Sequence, residues 1–356
     1  MSELTPRQQT ILGLVVREYV HTAKPVGSRV LVDKYGLNVS PATVRNEMAY
    51  LEEMGYFSHP HTSAGRVPTD QGYRYFVERM LHTNELPLAE QRTIAHQFQQ
   101  VRQQVDEWMP LAASVLARTT RSAALVTAPK APYARYRFLQ LISTRGRSVL
   151  LILVLQGGLI RQQMLTLPES MEQMDLSEAA DRLNQLCAGL NGDEVRARIP
   201  ALPLFEAEVA RLVAELMLQG EASVTGEVYH DGLSTLLQEP EFTEGMPTQG
   251  VLRVLEEKNF LDAVLVDALG PTVGSVRVMI GEEGRFDELR ACSLVLSRYG
   301  VSGLATGALG VLGPTRMGYG RVISTVRFVT DLLSDLVHEA FAPEGTHLPP
   351  ITPRRS

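Results

Sequence analysis

The stretch SPATVRNEMAYLEEMGYFSHPHTSAGRVPT, residues 40–69, decides how this chain folds. Ser40 is placed to cap a helix, and Pro41 suits the first helical position, where a missing N–H costs nothing. Val44, Met48 and Leu51 recur at i, i+4 and i+7, and Gly55 can close the helix in a left-handed conformation. Thr43, Arg45, Asn46 and Tyr50 fall off that apolar stripe and are left to face a partner. Their chemistry suits DNA: Arg pairs with guanine N7 and O6, Asn with adenine N6 and N7, and Thr meets a base edge or a thymine methyl. After Gly55, Tyr56 and Phe57 read as a strand, His59 to Gly65 as a loop, and Arg66 to Thr69 as its return.

Upstream, Thr5 and Pro6 start a helix with Ile11, Leu12, Val15, Val16 and Tyr19 on one face, ended by Lys24, Pro25 and Val26. Ser28 is placed to cap a second helix carrying Val30, Leu31 and Tyr35, and Gly36 to Val39 is a turn into the helix at Pro41. Three helices followed by a hairpin make a winged helix-turn-helix. A purely structural three-helix bundle is the competing reading. In the first, Thr43, Arg45 and Asn46 read the major groove, Tyr50 and Ser28 hold phosphates, and Arg66 on the wing touches backbone or minor groove. Arg29 adds a cation to the same side, and His61 in the loop reads as loop polarity or a phosphate contact rather than a metal ligand, because no Cys or third His lies at ligand spacing from His59 and His61.

Residues 1–80 hold nine Lys and Arg against eight Asp and Glu, and the remainder 25 against 32, so the chain is acidic overall with its cations nearer the N-terminus. A reader with so little net charge makes few phosphate contacts and binds weakly alone. Two copies on a palindrome double both base and phosphate contacts, so dimerisation is expected.

At 356 residues the chain has room for about two or three domains, and 44% apolar against 21% charged residues describes a globular protein. Met1 to Gln9 has no apolar signal core, and Val149 to Leu155, the longest aliphatic run, is too short to span a bilayer and reads as a strand buried on both faces. Cys187 and Cys292 are lone and far apart, which suits a reducing cytoplasm and buried packing roles.

Beyond a linker at 81–88, a helix is expected from Ala89 to Arg118 with a kink at Pro110. Strands follow at Leu125 to Thr127, Tyr136 to Ser143, Val149 to Gln156 and Leu159 to Leu165, with turns at Arg145–Gly146 and Gly157–Gly158. Met174 to Gly220 is helical, Val224 to Tyr229 a strand, and Leu233 to Leu237 and Gly250 to Glu257 are helices. Strands return at Ala263 to Asp267, Val273 to Ile280, Ser293 to Ser297 and Ala305 to Leu312, before a last helix from Arg316 to Phe341. Strands on both sides of a helical block give one antiparallel α+β domain interrupted by an insertion.

No catalytic set assembles, and neither an enzyme, a cofactor nor a metal is expected. Gly303, Gly307, Gly310 and Gly313 lack a phosphate-loop pattern and read as strand turns. Glu282 and Glu283 read as solvated carboxylates at a turn, with no nucleophile nearby. Gly313 to Arg316 reads as a capped turn, with an anion site at a helix N-terminus as the alternative.

Together these segments resemble the HrcA family of heat-inducible transcription repressors. The resemblance is carried by LTPRQQTI at Leu4 to Ile11, PVGSR at Pro25 to Arg29, SPATVRNEMAYL at Ser40 to Leu51, and HTSAGRVPT at His61 to Thr69 with Gly72 and Tyr73. GLSTLLQEPEF at Gly232 to Phe242, IGEE at Ile280 to Glu283 and GPTRMGY at Gly313 to Tyr319 extend it, while Gly245, Met246 and Pro247 stand where a more charged helix start is expected. It implies a dimeric repressor with an N-terminal winged helix, a GAF-like domain and an inserted dimerisation domain, acting in the cytoplasm. Laid on the reading above, these are 1–80, then 89–172 with 250–343, then 173–249, with a flexible tail at 344–356. The resemblance also implies double-stranded DNA as partner, in the form of the inverted-repeat operator called CIRCE upstream of chaperone genes, release on heat stress, and a GroEL-type chaperonin that helps keep the repressor active. Three rivals stay open: a regulator with a small-molecule effector in the GAF-like domain, an enzyme using Glu282 and Glu283, and a heat sensor that unfolds by itself.

Overall fold

The computed structural model describes residues 4–60, 65–81, 85–130, 135–156, 160–219, 227–242, 248, 250–253, 257–270, 272–302 and 304–341. Its architecture is mixed α/β with antiparallel sheets. Helix α1 (Pro6–Thr22) starts at a capping box in which Thr5 and Gln8 satisfy each other's free N–H groups. Helix α2 (Ser28–Tyr35) is capped at Gly27, so Ser28 is its first residue and not the cap expected. Helix α3 (Pro41–Glu53) begins as its sequence dictates, with Ser40 Oγ accepting from Thr43 N at 3.1 Å. The three apolar stripes, Ile11, Leu12, Val15 and Val16 on α1, Leu31 on α2, and Val44, Met48 and Leu51 on α3, are all buried in one core. Each such side chain stabilises the fold by about 1.5–3 kcal/mol. Glu18, buried on α1, braces α1 to α2 by accepting from Lys34 Nζ at 2.6 Å and Tyr35 OH at 2.8 Å, and these two bonds hold its carboxyl below the ordinary carboxylate range.

Strands β1 (Phe57–Ser58) and β2 (Val67–Pro68) pair antiparallel, Phe57 with Pro68 and Ser58 with Val67. So short a ladder cannot stand alone. It is clamped to the turn between α1 and α2, where Val26 N donates to Arg66 O at 2.8 Å and Arg66 N to Val26 O at 2.9 Å. The clamp needs Gly65, because a Cβ there would strike the Val26 backbone. Gly65→Ala is expected to lift the hairpin and lower stability by about 1–3 kcal/mol, read as a fall in melting temperature; an unchanged melting curve would refute the clamp. Helix α4 (Asp70–Tyr75), capped by Thr69, continues through a π turn at Phe76–Met80. This helix lies beyond the hairpin's return at Thr69 and is additional to the elements expected from the sequence.

The expected helix at 89–118 is two, α5 (Leu88–Gln100) and α6 (Val105–Thr120). The break falls at 101–104, where Val101 O accepts from Trp108 Nε1 at 3.0 Å, and Pro110 sits inside α6 without ending it. A five-stranded sheet follows in the order β7 (Val228–Asp231), β3 (Ala123–Thr127), β10 (Ala305–Pro314), β9 (Cys292–Val301) and β8 (Val276–Ile280), every neighbouring pair antiparallel. One face packs on α6 and on α12 (Tyr319–Phe341), whose core is continuous with that of the N-terminal helices. The other face is covered by α10 (Leu233–Leu236) and α11 (Lys258–Ala268). Ala263 to Asp267, expected as a strand, lies in α11, because Leu261, Val264, Leu265 and Ala268 bury a helical stripe. Gly307, Gly310 and Gly313 lie within β10, paired to β9, so they are neither strand turns nor a phosphate loop. Cys187 and Cys292 are both buried and free, and burial pushes the Cys292 thiol up to about 12.

Strands β4 (Tyr136–Ser143), β5 (Ser148–Leu155) and β6 (Ile160–Thr166) form a second sheet of their own. Its inner face shares a core with α7 (Gln173–Cys187), α8 (Gly192–Arg198) and α9 (Leu204–Gln219). Between β3 and β7 of the main sheet, the described residues 135–219 thus build a core of their own. β5 was expected to be buried on both faces; Val149, Leu151, Leu153 and Leu155 are buried, whereas Leu150, Ile152 and Val154 are only half-buried because no layer of the described chain covers them. No helix among the described residues is long and apolar enough to cross a membrane. His61, the turn at Gly157–Gly158, Gly245 to Pro247 and the tail at 344–356 lie outside the described residues.

Candidate nucleic-acid interface

With Val44, Met48 and Leu51 turned into the core, the opposite face of α3 presents Arg45, Asn46 and Tyr50 to solvent, Tyr50 at 41% exposure. Helical spacing alone places these three on one arc. Thr43 is half-buried, and its hydroxyl lies 3.0 Å from Ser40 Oγ, so it shares in the cap before it meets any partner. Ser28 and Arg29 occupy the first turn of α2, where backbone N–H groups are free to meet an anion, and Arg29 is exposed. Neither Arg29 nor Arg45 has an acidic partner among the described residues.

The acids of α3 would repel a phosphate backbone; two of the three, Glu47 and Glu52, are paired, whereas Glu53 is exposed with no ion pair among the described residues. Glu47, on one flank, accepts from Gln8 Nε2 at 3.1 Å and lies 3.6 Å from Arg7, both from α1. Glu52, on the other, is bonded to His59 Nδ1 and to Arg66 Nη2, the latter at 2.7 Å. Arg66 is thereby turned into the seam between α3 and the hairpin, 23% exposed, with Nε buried and without a hydrogen-bond partner among the described residues. The structure brings Arg45, Asn46 and Tyr50 together, places Ser28 and Arg29 on the neighbouring helix, and holds Arg66 apart on Glu52. Sequence reasoning missed Glu47 and Glu52 as partners, since no local spacing announces a pairing between α3 and the hairpin.

Two further candidates resolve as structural. Arg316 is largely buried and pairs with Glu239 and with Glu241 at 2.5 Å, so the cation proposed for an anion site is already occupied. Glu283 is bonded to Arg74 and accepts from Ile280 N at 2.9 Å, so it is not a freely solvated carboxylate.

The family model "HrcA protein C terminal domain" matches residues 106–323. A protein described as heat-inducible transcription repressor HrcA from Roseiflexus castenholzii is 44% identical, covering 97% of this chain and 98% of its own. One of the same description from Chloroflexus aggregans is 44% identical over 95% of this chain and 94% of its own. A crystal structure described as that of a hypothetical protein shares the fold, with a TM-score of 0.62 at 24% identity, over 95% of this chain and all of that one. The relatives carry one description and match almost end to end. The chain belongs to the HrcA family.

Proposed function

We propose that this protein represses transcription of heat-shock chaperone genes as a homodimer on a CIRCE-type inverted repeat and is released on heat stress. The observation that carries this reading is the exposed arc of Arg45, Asn46 and Tyr50 on a well-capped helix in which Glu47 and Glu52 are held by cations. In this reading residues 4–81 work as a winged helix-turn-helix. Thr43, Arg45 and Asn46 face base edges in the major groove, while Ser28, Arg29 and Tyr50 hold phosphates. His61 contributes from the loop. Arg66 exchanges Glu52 for a phosphate when the hairpin meets the backbone. The five-stranded unit is the GAF-like domain, and residues 135–219 form the dimerisation insert. A GroEL-type chaperonin acts on the repressor's active state, so that unfolded clients competing for it relieve repression. Operator affinity measured across temperature, with and without chaperonin, tests this arm; identical curves would remove the chaperonin from the scheme. Binding of the inverted repeat against a scrambled duplex tests the rest, and equal affinities would sink it.

The Glu52 pairing makes a separate expectation. Glu52→Gln should free Arg66, raise affinity for DNA of any sequence, and steepen the slope of log affinity on log salt by roughly one per subunit. Salt titrations of both proteins on a scrambled duplex check it, and parallel slopes would show that Arg66 does not meet phosphate.

A further inference from the structure

The N-terminal unit is fastened to the body by more than its linker. Asp70 Oδ2, in the first turn of α4, accepts from Glu282 N at 2.9 Å. One turn on, Arg74 Nη2 donates to Val278 O at 2.7 Å and Nε to Glu283 Oε1 at 2.6 Å, and the same guanidinium makes a second bond to Glu283. Between them Tyr73 is buried with its ring centroid 5.9 Å from that of Tyr319, the first residue of α12. Tyr319 is itself fixed, its hydroxyl donating to Thr315 O at 2.7 Å and lying 2.8 Å from Ser293 Oγ. The receiving turn is shaped for the contact: Gly281 has φ +53°, and a Cβ there would collide with the Asp70 carboxylate.

From α4 the contacts continue to the C-terminal end of α3. Thr69, which caps α4, donates through Oγ1 to Gly55 O at 2.6 Å and through its N–H to Tyr56 O at 3.1 Å, just where α3 ends and β1 begins. Tyr75 stands edge-on to Tyr56 at 5.3 Å and accepts from Gln9 Nε2 of α1 at 3.2 Å. Packed side chains and hydrogen bonds thus run from β8 through α4 to the C-terminal end of α3. A rigid connection of this kind sets an angle.

We propose that Asp70 and Arg74, seated on the Gly281–Glu283 turn, are positioning residues that fix each reading helix to the body and thereby set which half-site spacing a dimer accepts. The proposal rests on the DNA reading above and adds what selects the operator's geometry, since a dimer of rigidly held helices fits half-sites only at one helical phase. Duplexes carrying the inverted repeat, its spacer shortened or lengthened in one-base-pair steps, test it with the full-length dimer. The wild-type protein should favour one spacing, losing about tenfold or more in affinity elsewhere as one subunit is forced off its half-site. Arg74→Ala, and separately Gly281→Ala from the body side, should flatten the profile to within about threefold while affinity for an isolated half-site stays as in the wild type. Loss of base contacts or general unfolding would lower half-site binding as well. Melting curves and sedimentation identify which variants are folded and dimeric; two folded, dimeric variants with the wild-type spacing profile would overturn the proposal. A wild-type protein that does not distinguish the repeat from scrambled DNA would instead overturn the DNA reading on which it stands.

Discussion

Arg45→Ala is expected to lower affinity for the inverted repeat by about 2–6 kcal/mol per dimer, one bidentate base contact of 1–3 kcal/mol being lost in each half-site. Affinity for scrambled DNA should fall far less, because there Arg45 contributes only its charge. The side chain is exposed, has no acidic partner among the described residues, and projects from a helix whose cap and buried stripe do not involve it, so stability should be unchanged. Arg66→Ala provides the contrast. Its guanidinium is held on Glu52 beside the hairpin, and in the proposed reading it meets phosphate rather than a base edge. That substitution should weaken all sequences alike and reduce the salt slope. Competition binding with operator and scrambled duplexes separates the two, and equal proportional losses from Arg45→Ala on both DNAs would remove Arg45 from base reading.

The parts of the fold that were legible are those whose information is local. Thr5 with Pro6, Ser40 with Pro41, and the apolar stripes of α1 and α3 each lie within one helix and its cap, and the structure forms those helices where the sequence places them. Helix α4 was legible in principle: Thr69 is a capping residue, and Tyr73, Phe76 and Met80 follow at helical spacing. In α11 the run Ala263 to Asp267 is rich in aliphatic residues that suit strands, yet the buried positions recur with a helix period, and tertiary burial overrode propensity. What could not be read was pairing at a distance. Which sheet β4 to β6 would join, which cation Glu52 would take, and that the IGEE turn would receive Arg74 are set by packing between segments far apart in sequence. The site follows the same rule: Arg45, Asn46 and Tyr50 were visible as one helix face, whereas the pairing of Glu47 with Arg7 and of Glu52 with Arg66 was not.

The second large effect concerns the outer face of the insert's sheet. On β5, Leu150, Ile152 and Val154 alternate with the buried residues, and the pairing register places Phe138 and Ile160 beside Val154 and Met164 beside Leu150. Phe138, Ile160 and Met164 are 44%, 54% and 52% exposed, so apolar rows at Val154 and Leu150 lie open on either side of the row Gln140–Ile152–Gln162, on a sheet whose other side is a packed core. Exposed apolar surface on a sheet face marks a protein interface, and apolar rows that cross three strands suit a second copy of the same sheet. Val154→Glu should then separate the dimer. In the isolated subunit the new carboxylate faces water and costs little, but between two subunits it would be buried without a partner, an effect of about 3–5 kcal/mol per charge. The dimer dissociation constant should rise about a thousandfold or more. Operator affinity should fall with it, by about 10²–10⁴, as linked half-site binding becomes two independent weak events. Half-site affinity should remain, because the reading helix is untouched. Sedimentation across protein concentration, paired with binding to the full repeat and to a single half-site, checks both arms; a Val154→Glu protein that stays dimeric and keeps its operator affinity would place the interface elsewhere.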